Sequence, residues 1–241
     1  MACALCRKNA RLVLSHIIPE FLYKSLYDGK HRFTQISTSE SKRNLFLQKG
    51  IREKLLCVDC ERSLSVFEQY ASLVLYGGIG IDVEPRGNWL HISKLDYPKL
   101  KLFLLSVLWR AGISSLNIFR HVSLGPHAEI IRRMLAHEDP GDPDQYGCLM
   151  CLTRHEGQPV TDIVSEPTKS KLDKYTAYNF IVGGLVLVYV VTSQRPSKFI
   201  SEHFVQPSGE CSVRLTELIE LKFLTRTILR MREQGKLGPN L

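Results

Sequence analysis

Four of the seven cysteines in this 241-residue chain form the two C-x2-C pairs of its first 60 residues. They are Cys3, Cys6, Cys57 and Cys60. Each pair can curl into a knuckle that directs two thiolates at one ion, and two knuckles supply the four tetrahedral ligands of a closed zinc site. Because 50 residues (7 to 56) separate the pairs, a bound ion would close a long loop, and its binding free energy would contribute to folding. The spacing therefore predicts a structural Zn²⁺ site.

There are two alternatives to zinc binding: these cysteines could form two disulfide bonds, or they could be four free thiols that bind no metal. Disulfides belong to secreted proteins, whose leader peptides carry an apolar segment. Residues Met1 to Ala10 contain two cysteines and two basic side chains instead of such a segment. The sequence therefore predicts a cytoplasmic protein with reduced cysteines, which favours the metal.

Between the two pairs lies the pentapeptide Ser15-His16-Ile17-Ile18-Pro19. A short predicted strand, Leu12 to Leu14, ends at Ser15 and His16, and Pro19 begins a predicted helix that runs to Asp28. An imidazole with an ordinary pKa near ~6.5 can act as a general base at neutral pH. The alternative is a structural imidazole that donates a hydrogen bond to a backbone carbonyl at the end of the strand.

The chain divides into three predicted segments, which together make an α+β fold. Residues 1–76 form the zinc unit, in which a second strand at 54–56 leads into a helix that begins at the second cysteine pair. Residues 77–139 are predicted to be helical, with the apolar run from Leu100 to Leu108 central to the core. Residues 140–241 are predicted to form a small antiparallel sheet and a closing helix from Thr216 to Gln234.

Composition and charge restrict the partners. The longest apolar run, Phe180 to Val191, is too short to span a bilayer, so no membrane role is expected. The net charge is +8, and residues 1–63 hold twelve Lys and Arg against six Asp and Glu. This concentration of positive charge predicts a phosphate-rich partner, with a solvated basic surface as the alternative.

The motif residues resemble those of the zinc-containing HNH endonucleases, the ββα-metal or treble-clef superfamily. The likeness covers about the first third of the chain. It rests on the first cysteine pair, on Ser15 to Pro19, on Leu55-Leu56 before the second cysteine pair, and on Glu61 and Glu68 after it. It is closer to uncharacterised bacterial HNH-like proteins, in which a serine precedes the histidine and a glutamate follows the last cysteine. The resemblance implies an N-terminal zinc-bound treble-clef unit.

The resemblance also implies roles for individual residues. His16 takes the place of the general base that deprotonates a water, and Glu61 takes the place of a ligand to a catalytic Mg²⁺ or Mn²⁺ ion. Asn44 is the candidate for the asparagine that orients the base, with Gln48 as its substitute. Ser15 stands where the family usually has an acidic or imidazole metal ligand.

Glu68 follows Glu61 by two helical turns, so the two carboxylates share a helix face. Glu68 is therefore a candidate metal ligand, or a residue that contacts the metal ligands without binding the metal itself. Equally, the two glutamates can be a carboxylate pair that the helix N-terminus and Arg62 or Lys54 stabilise.

These observations predict a metal-dependent nuclease that acts on DNA. The resemblance extends this to bacterial effectors that defend against phage or act as toxins. The alternative is a zinc-dependent module that binds nucleic acid or protein without catalysis. A third class is a subunit of a larger complex with a protein partner or regulatory subunit, which the apolar helices around 100–135 suggest.

Two further features are assigned to the core and not to chemistry. Cys148, Cys151 and His155, with the distant Cys211, suggest a second metal site, but positions i and i+3 of a strand face opposite sides. These thiols are predicted to be buried. Trp109-Arg110, after the apolar run of the middle segment, is predicted to serve packing and a buried ion pair.

Overall fold

The zinc unit is built on two antiparallel strands and the helix that follows them. The computed structural model describes residues 1–30, 32–35, 45–47, 50–161 and 163–221, and the single residues Leu229, Glu233 and Gly235. Strand β1 (Leu12–His16) pairs with β4 (Arg52–Cys57), and helix α1 (Val58–Tyr76) begins directly after β4. Leu12 lies opposite Cys57, and His16 lies opposite Arg52. The cysteine pairs therefore meet at one end of this pair of strands, and His16 lies at the other end.

The segment between β1 and β4 begins with a 3-10 helix, Glu20–Leu26, for which Pro19 is the N-cap residue. The sequence predicted a helix here, and the structure gives the tighter 3-10 form over seven residues. A run this short is marginal as an isolated helix, so the burial of Leu22 and Tyr23 decides the winding. Strands β2 (Phe33–Gln35) and β3 (Leu45–Leu47) then pair antiparallel.

Two α-helices form the predicted helical middle of the fold. Helix α2 (Tyr97–Ile113) begins at Asp96, whose carboxylate accepts a hydrogen bond from the Lys99 N–H at 3.1 Å. Thirteen of its residues are buried, so it is central to the core as expected. Helix α3 (His127–Ala136) and α1 both pack against it. Within the described part of the chain, no helix is both long enough and apolar enough to cross a membrane.

The remaining strands form one large sheet, which is antiparallel-rich as expected but bigger than predicted. In the described part of the chain it has eight strands, of which seven lie in the order β5-β6-β12-β7-β11-β10-β9 while β8 pairs with β7. Their bounds are β5 Asp82–Arg86, β6 Trp89–Ser93, β7 Cys148–His155, β8 Gln158–Pro159, β9 Thr168–Leu172, β10 Tyr175–Val182, β11 Leu185–Val191 and β12 Cys211–Glu217. The pairing of β12 with β7 is parallel.

Two parts of the prediction for these segments need correction. The β5–β6 hairpin lies within 77–139, which was expected to be helical. Local pattern did not reveal it, because β5 is exposed and β6 partly buried at every position, so neither strand alternates. Thr216 and Glu217, expected to open the closing helix, are the end of β12. A 3-10 turn, Leu218–Glu220, follows, and most of the predicted helix beyond it lies outside the described residues.

The long apolar run at 180–191 is a hairpin and not a single strand. Strands β10 and β11 pair on either side of Gly183 and Gly184, whose φ angles are 58° and 77°. Positive φ at two successive positions is the geometry that favours glycine in a tight hairpin. A Cβ at Gly184 would also come within 1.9 Å of the Val160 carbonyl oxygen.

Arg110 of α2 joins the zinc unit to the helical middle. Its side chain is fully buried, and its guanidinium makes an ion pair with Glu68 of α1. Nη1 donates to the His16 carbonyl oxygen at 2.7 Å, and Nε donates to the Ser106 carbonyl oxygen at 3.3 Å. The expected buried ion pair is confirmed, and its partner is Glu68.

We expect Arg110→Met to lower the free energy of unfolding by about 3 kcal/mol, because it leaves a mostly buried carboxylate without its counter-charge. Urea denaturation measures the loss. Arg110→Met combined with Glu68→Gln should lose less than the single variant, since no unpaired charge then remains. Exposed Arg133→Met is the control and should change stability by less than about 0.5 kcal/mol. If Arg110→Met is as stable as this control, the Arg110–Glu68 ion pair does not stabilise the fold as proposed.

Lys101 of α2 is a second buried cation, only 1% exposed. Its Nζ donates to the carbonyl oxygens of Pro143 and Tyr146 at 3.1 and 3.3 Å, which anchors the segment between α3 and β7. Burial lowers the pKa of Lys101 to about 8.

This depressed pKa gives stability a pH dependence of known sign. Between pH 8 and the ordinary lysine value of 10.5, the unfolded chain binds the proton more tightly than the folded protein does. The stability of the wild type relative to Lys101→Met should therefore rise with pH across this window, by at most about 3 kcal/mol. Chemical denaturation of both proteins at several pH values measures the difference. A difference that stays constant from pH 8 to 10.5 would exclude a depressed lysine pKa.

Candidate zinc centre and active site

The four cysteines of the two C-x2-C pairs come together as predicted. Their sulfur atoms all lie within 4.8 Å of one another, and Cys6 Sγ is 3.9 Å from Cys57 Sγ. Four sulfurs at about 2.3 Å from a tetrahedral zinc ion lie about 3.8 Å apart. All seven cysteines of the chain are free thiols. The donor set and its spacing therefore fit a closed Zn²⁺ site.

Local backbone structure positions each pair. Cys57 ends β4 and is the N-cap residue of α1, so Cys60 lies in the first helical turn. The first pair sits in a tight loop in which the Arg7 N–H donates to the Cys3 carbonyl oxygen at 2.9 Å and Arg7 has a φ of 66°. The Ala4 N–H donates to the Leu55 carbonyl oxygen at 3.0 Å, which fixes this loop against β4.

The environment of the sulfurs favours some thiolate character. Burial raises the pKa of the Cys3 thiol, but N–H groups directed at its sulfur outweigh burial and lower the pKa to about 7. One of these donors is the Cys57 N–H at 3.3 Å. Burial and the neighbouring thiols raise the pKa of Cys60 well above its ordinary value. Ionising all four thiols together therefore requires a cation, which a Zn²⁺ ion supplies.

The first knuckle also contacts α3. Arg7 and Arg132 both pair with Glu129, at 2.7 and 2.8 Å, and Arg132 Nη1 donates to the Leu5 carbonyl oxygen at 2.6 Å. The two arginines lower the pKa of Glu129 to about 2. Side chains of α3 thus anchor the N-terminal loop of the zinc unit.

His16 is the last residue of β1, at the end away from the cysteines, and a quarter of its side chain is exposed. Its Nε2 is 2.5 Å from Oε2 of Glu20, four residues on, although the N–H does not point straight at that oxygen. Tyr27 Oη donates to Oε1 of Glu20 at 2.6 Å. Burial works to raise the pKa of Glu20, but the Tyr27 hydroxyl and the charge of His16 outweigh it and lower that pKa.

The other residues suggested for catalysis occupy different surroundings. Ser15 is fully buried, and its hydroxyl has no hydrogen-bond partner among the described residues. Glu61 has one buried carboxylate oxygen that likewise has no partner among them. Glu68 is engaged by Arg110 and not by Arg62 or Lys54. Asn44 and Gln48 lie outside the described residues.

The second ion that the resemblance implies finds an incomplete donor set. Mg²⁺ and Mn²⁺ prefer several oxygen ligands around one point. Among the described residues, no hydrogen bond or ion pair joins Glu61 to His16, Ser15 faces the core, and Glu68 is neutralised by an arginine. These residues do not fit a preformed Mg²⁺ or Mn²⁺ site.

Sequence reasoning missed Glu20, which is the side chain that contacts the histidine ring. The available signal was its spacing of four residues from His16 across Pro19. That signal is weak, because i and i+4 side chains meet reliably only inside a continuous helix. Here the chain turns from a strand into a 3-10 helix between the two residues, and the turn brings them together.

The second cysteine group is divided between two sides of the sheet. Cys148 and Cys151 both lie on β7, and Cys148 packs into the main core while Cys151 packs with Ile181 and Val186. Cys211 belongs to the main core with Cys148. This arrangement agrees with the alternation of a strand.

We expect the purified protein to contain one zinc ion per chain, measured by elemental analysis. Cys60→Ser should lose the ion and melt at a lower temperature, because zinc binding contributes to folding. Cys151→Ser, the matched control in β7, should retain the metal. A wild-type protein that contains no zinc, and that Cys60→Ser leaves unchanged, would contradict this assignment.

Comparisons of this chain with protein-family models, with curated proteins and with solved structures each find no match. The resemblance to HNH endonucleases therefore rests on the motif residues themselves.

Proposed function

We propose that this protein is a zinc-stapled nuclease that hydrolyses phosphodiester bonds in DNA with His16 as the general base. One observation carries the proposal. His16 lies at the open end of a β-β-α unit whose opposite end is held by the four cysteine sulfurs, and its ring is partly exposed beside a carboxylate. A solvent-accessible imidazole held on a rigid strand is the arrangement that general-base catalysis needs.

In this mechanism the protein binds the backbone of DNA and activates a water. Exposed cations of the zinc unit, such as Lys8, Arg11 and Lys54, would contact phosphates without reading sequence. His16 would take a proton from a water as the water oxygen attacks phosphorus; the bond from phosphorus to the 3′ oxygen breaks, and the leaving 3′ oxygen takes a proton from solvent. The zinc ion would have a structural role only, since four thiolates would fill its coordination sphere. The resemblance implies a catalytic Mg²⁺ or Mn²⁺ ion, but the described residues offer no complete donor set for it, so no step of this mechanism depends on one.

A second candidate is a zinc-dependent module that binds nucleic acid or protein without cleaving. The surroundings of Ser15 and Glu68 favour it, because neither side chain is free to hold a catalytic ion. A binder needs only the folded zinc unit and its basic surface. The phage-defence or toxin role, which comes from the resemblance alone, belongs to the nuclease proposal.

Incubation of the zinc-loaded protein with supercoiled plasmid in Mg²⁺ or Mn²⁺ separates the two candidates. We expect the wild type to nick or linearise the plasmid, and His16→Ala to cleave at least about 100-fold more slowly, as expected for loss of a general base. DNA binding by the variant, measured by fluorescence anisotropy, should not change. His137→Ala, at the exposed end of α3, is the control and should cleave normally.

Two results would count against the nuclease. Plasmid that stays intact with bound wild-type protein would favour the binding module. Equal cleavage by the wild type and His16→Ala would remove His16 from the reaction and point to a contaminating nuclease.

A further inference from the structure

The contact between Glu20 and His16 restricts where the histidine carries its proton. A carboxylate can only accept a hydrogen bond, and Glu20 Oε2 lies 2.5 Å from His16 Nε2, too close for two unprotonated acceptors even though the N–H does not point straight at the oxygen. The favoured form of the imidazole therefore carries a proton on Nε2, whether the ring is neutral or charged. In the neutral ring, the free electron pair then lies on Nδ1. The nitrogen that can accept a proton is thus defined by a residue outside the motif.

Other contacts limit how far the ring can move. The His16 carbonyl oxygen accepts from Arg110 at 2.7 Å, and the Ile17 N–H donates to the Ile51 carbonyl oxygen at 2.9 Å. These bonds hold both the carbonyl and the N–H of the peptide group that links His16 to Ile17. A Cβ at Gly50 would lie 3.2 Å from His16 Cδ2, so backbone closely covers one edge of the ring.

Glu20 is itself held in place. The Tyr27 hydroxyl donates to Oε1 of Glu20 at 2.6 Å. Glu20 is the first residue of the 3-10 helix, and Tyr27 directly follows its last residue. The row Tyr27–Glu20–His16 therefore has its hydroxyl donor at one end and its imidazole at the other. An anchored carboxylate holds an imidazole in one orientation better than a mobile one, because less side-chain entropy is lost when the pair forms.

We propose that Glu20 is the positioning residue of His16: it fixes the Nε2–H tautomer and directs the Nδ1 electron pair toward the substrate, with Tyr27 holding the carboxylate. This inference rests on the proposed nuclease function for its catalytic consequence, but not for the orientation of the ring. Glu20 would touch neither the water nor the phosphate and would act only through His16. This role differs from that of Asn44 or Gln48, which the resemblance suggested as the group that orients the base.

The orientation is tested by two-bond ¹H–¹⁵N NMR of the histidine side chains in the full-length, zinc-loaded protein. The spectra are recorded at about pH 8.5, where an ordinary imidazole is neutral. His16→Ala identifies the His16 signals. We expect the wild type to show the Nε2–H tautomer, and Glu20→Ala to show a mixture of both tautomers. Tyr27→Phe should change the spectrum in the same direction but less. Lys24→Gln, on the same 3-10 helix, is the control and should leave the His16 signals unchanged.

Cleavage assays on the same proteins test the catalytic part. Glu20→Ala should lower the rate at saturating DNA by at least about tenfold with unchanged DNA affinity, because the base is present but misdirected. Glu20→Asp should recover part of the rate.

A His16 ring in the Nδ1–H form in the wild type, or a tautomer that Glu20→Ala does not alter, would overturn the proposed positioning. Normal cleavage by Glu20→Ala would overturn its catalytic part. If the wild type does not cut DNA at all, the proposed function fails, whereas the NMR result still decides how His16 is held.

Discussion

The register of β1 against β4 is the constraint on which the zinc unit depends, because it brings the two cysteine pairs to one end of the strands. Cys57 lies opposite Leu12 at the end of the hairpin where the sulfurs gather. A one-residue slip of β1 would turn every side chain to the other face of the strand. In the observed register, which includes an irregularity between Val13 and Leu14, Ser15 faces the core and His16 reaches solvent. The register that gathers the cysteine sulfurs at one end of β1 therefore also decides which residue at the other end is available for chemistry.

The zinc unit is joined to the rest of the molecule by cations at both of its ends. Arg110 of α2 holds the His16 end and pairs with α1, while Arg132 of α3 holds the first knuckle through Leu5. A buried guanidinium needs its hydrogen-bond acceptors, because leaving them unmade is expensive in a core. Because Arg110 donates to the His16 carbonyl oxygen, the position of the imidazole depends on α2 as well as on β1, so residues 1–76 share their stabilising contacts with the helical middle.

Some features were readable from sequence because they depend on spacing that survives folding. The cysteine pairs, the strand before His16 and the apolar run of α2 are local patterns with strong physical causes. The β5–β6 hairpin and the parallel pairing of β12 with β7 were not predicted, since both depend on long-range pairing that no local period encodes. Glu20 was missed for a different, local reason. Its contact with His16 requires a strand to end and a 3-10 helix to begin within four residues.

Ser15 shows most directly how this chain departs from the HNH pattern. Neighbouring residues of a strand face opposite sides, so the residue before an exposed histidine points into the core, and Ser15 is fully buried. An acidic ligand at this position would bury a charge at high cost, whereas a hydroxyl is tolerated with a smaller penalty. The site therefore could not recover a metal ligand at position 15 by substitution alone. In the proposed nuclease, the charge of a bound phosphate would therefore have to be met from outside β1, by exposed cations such as Lys8 and Arg11.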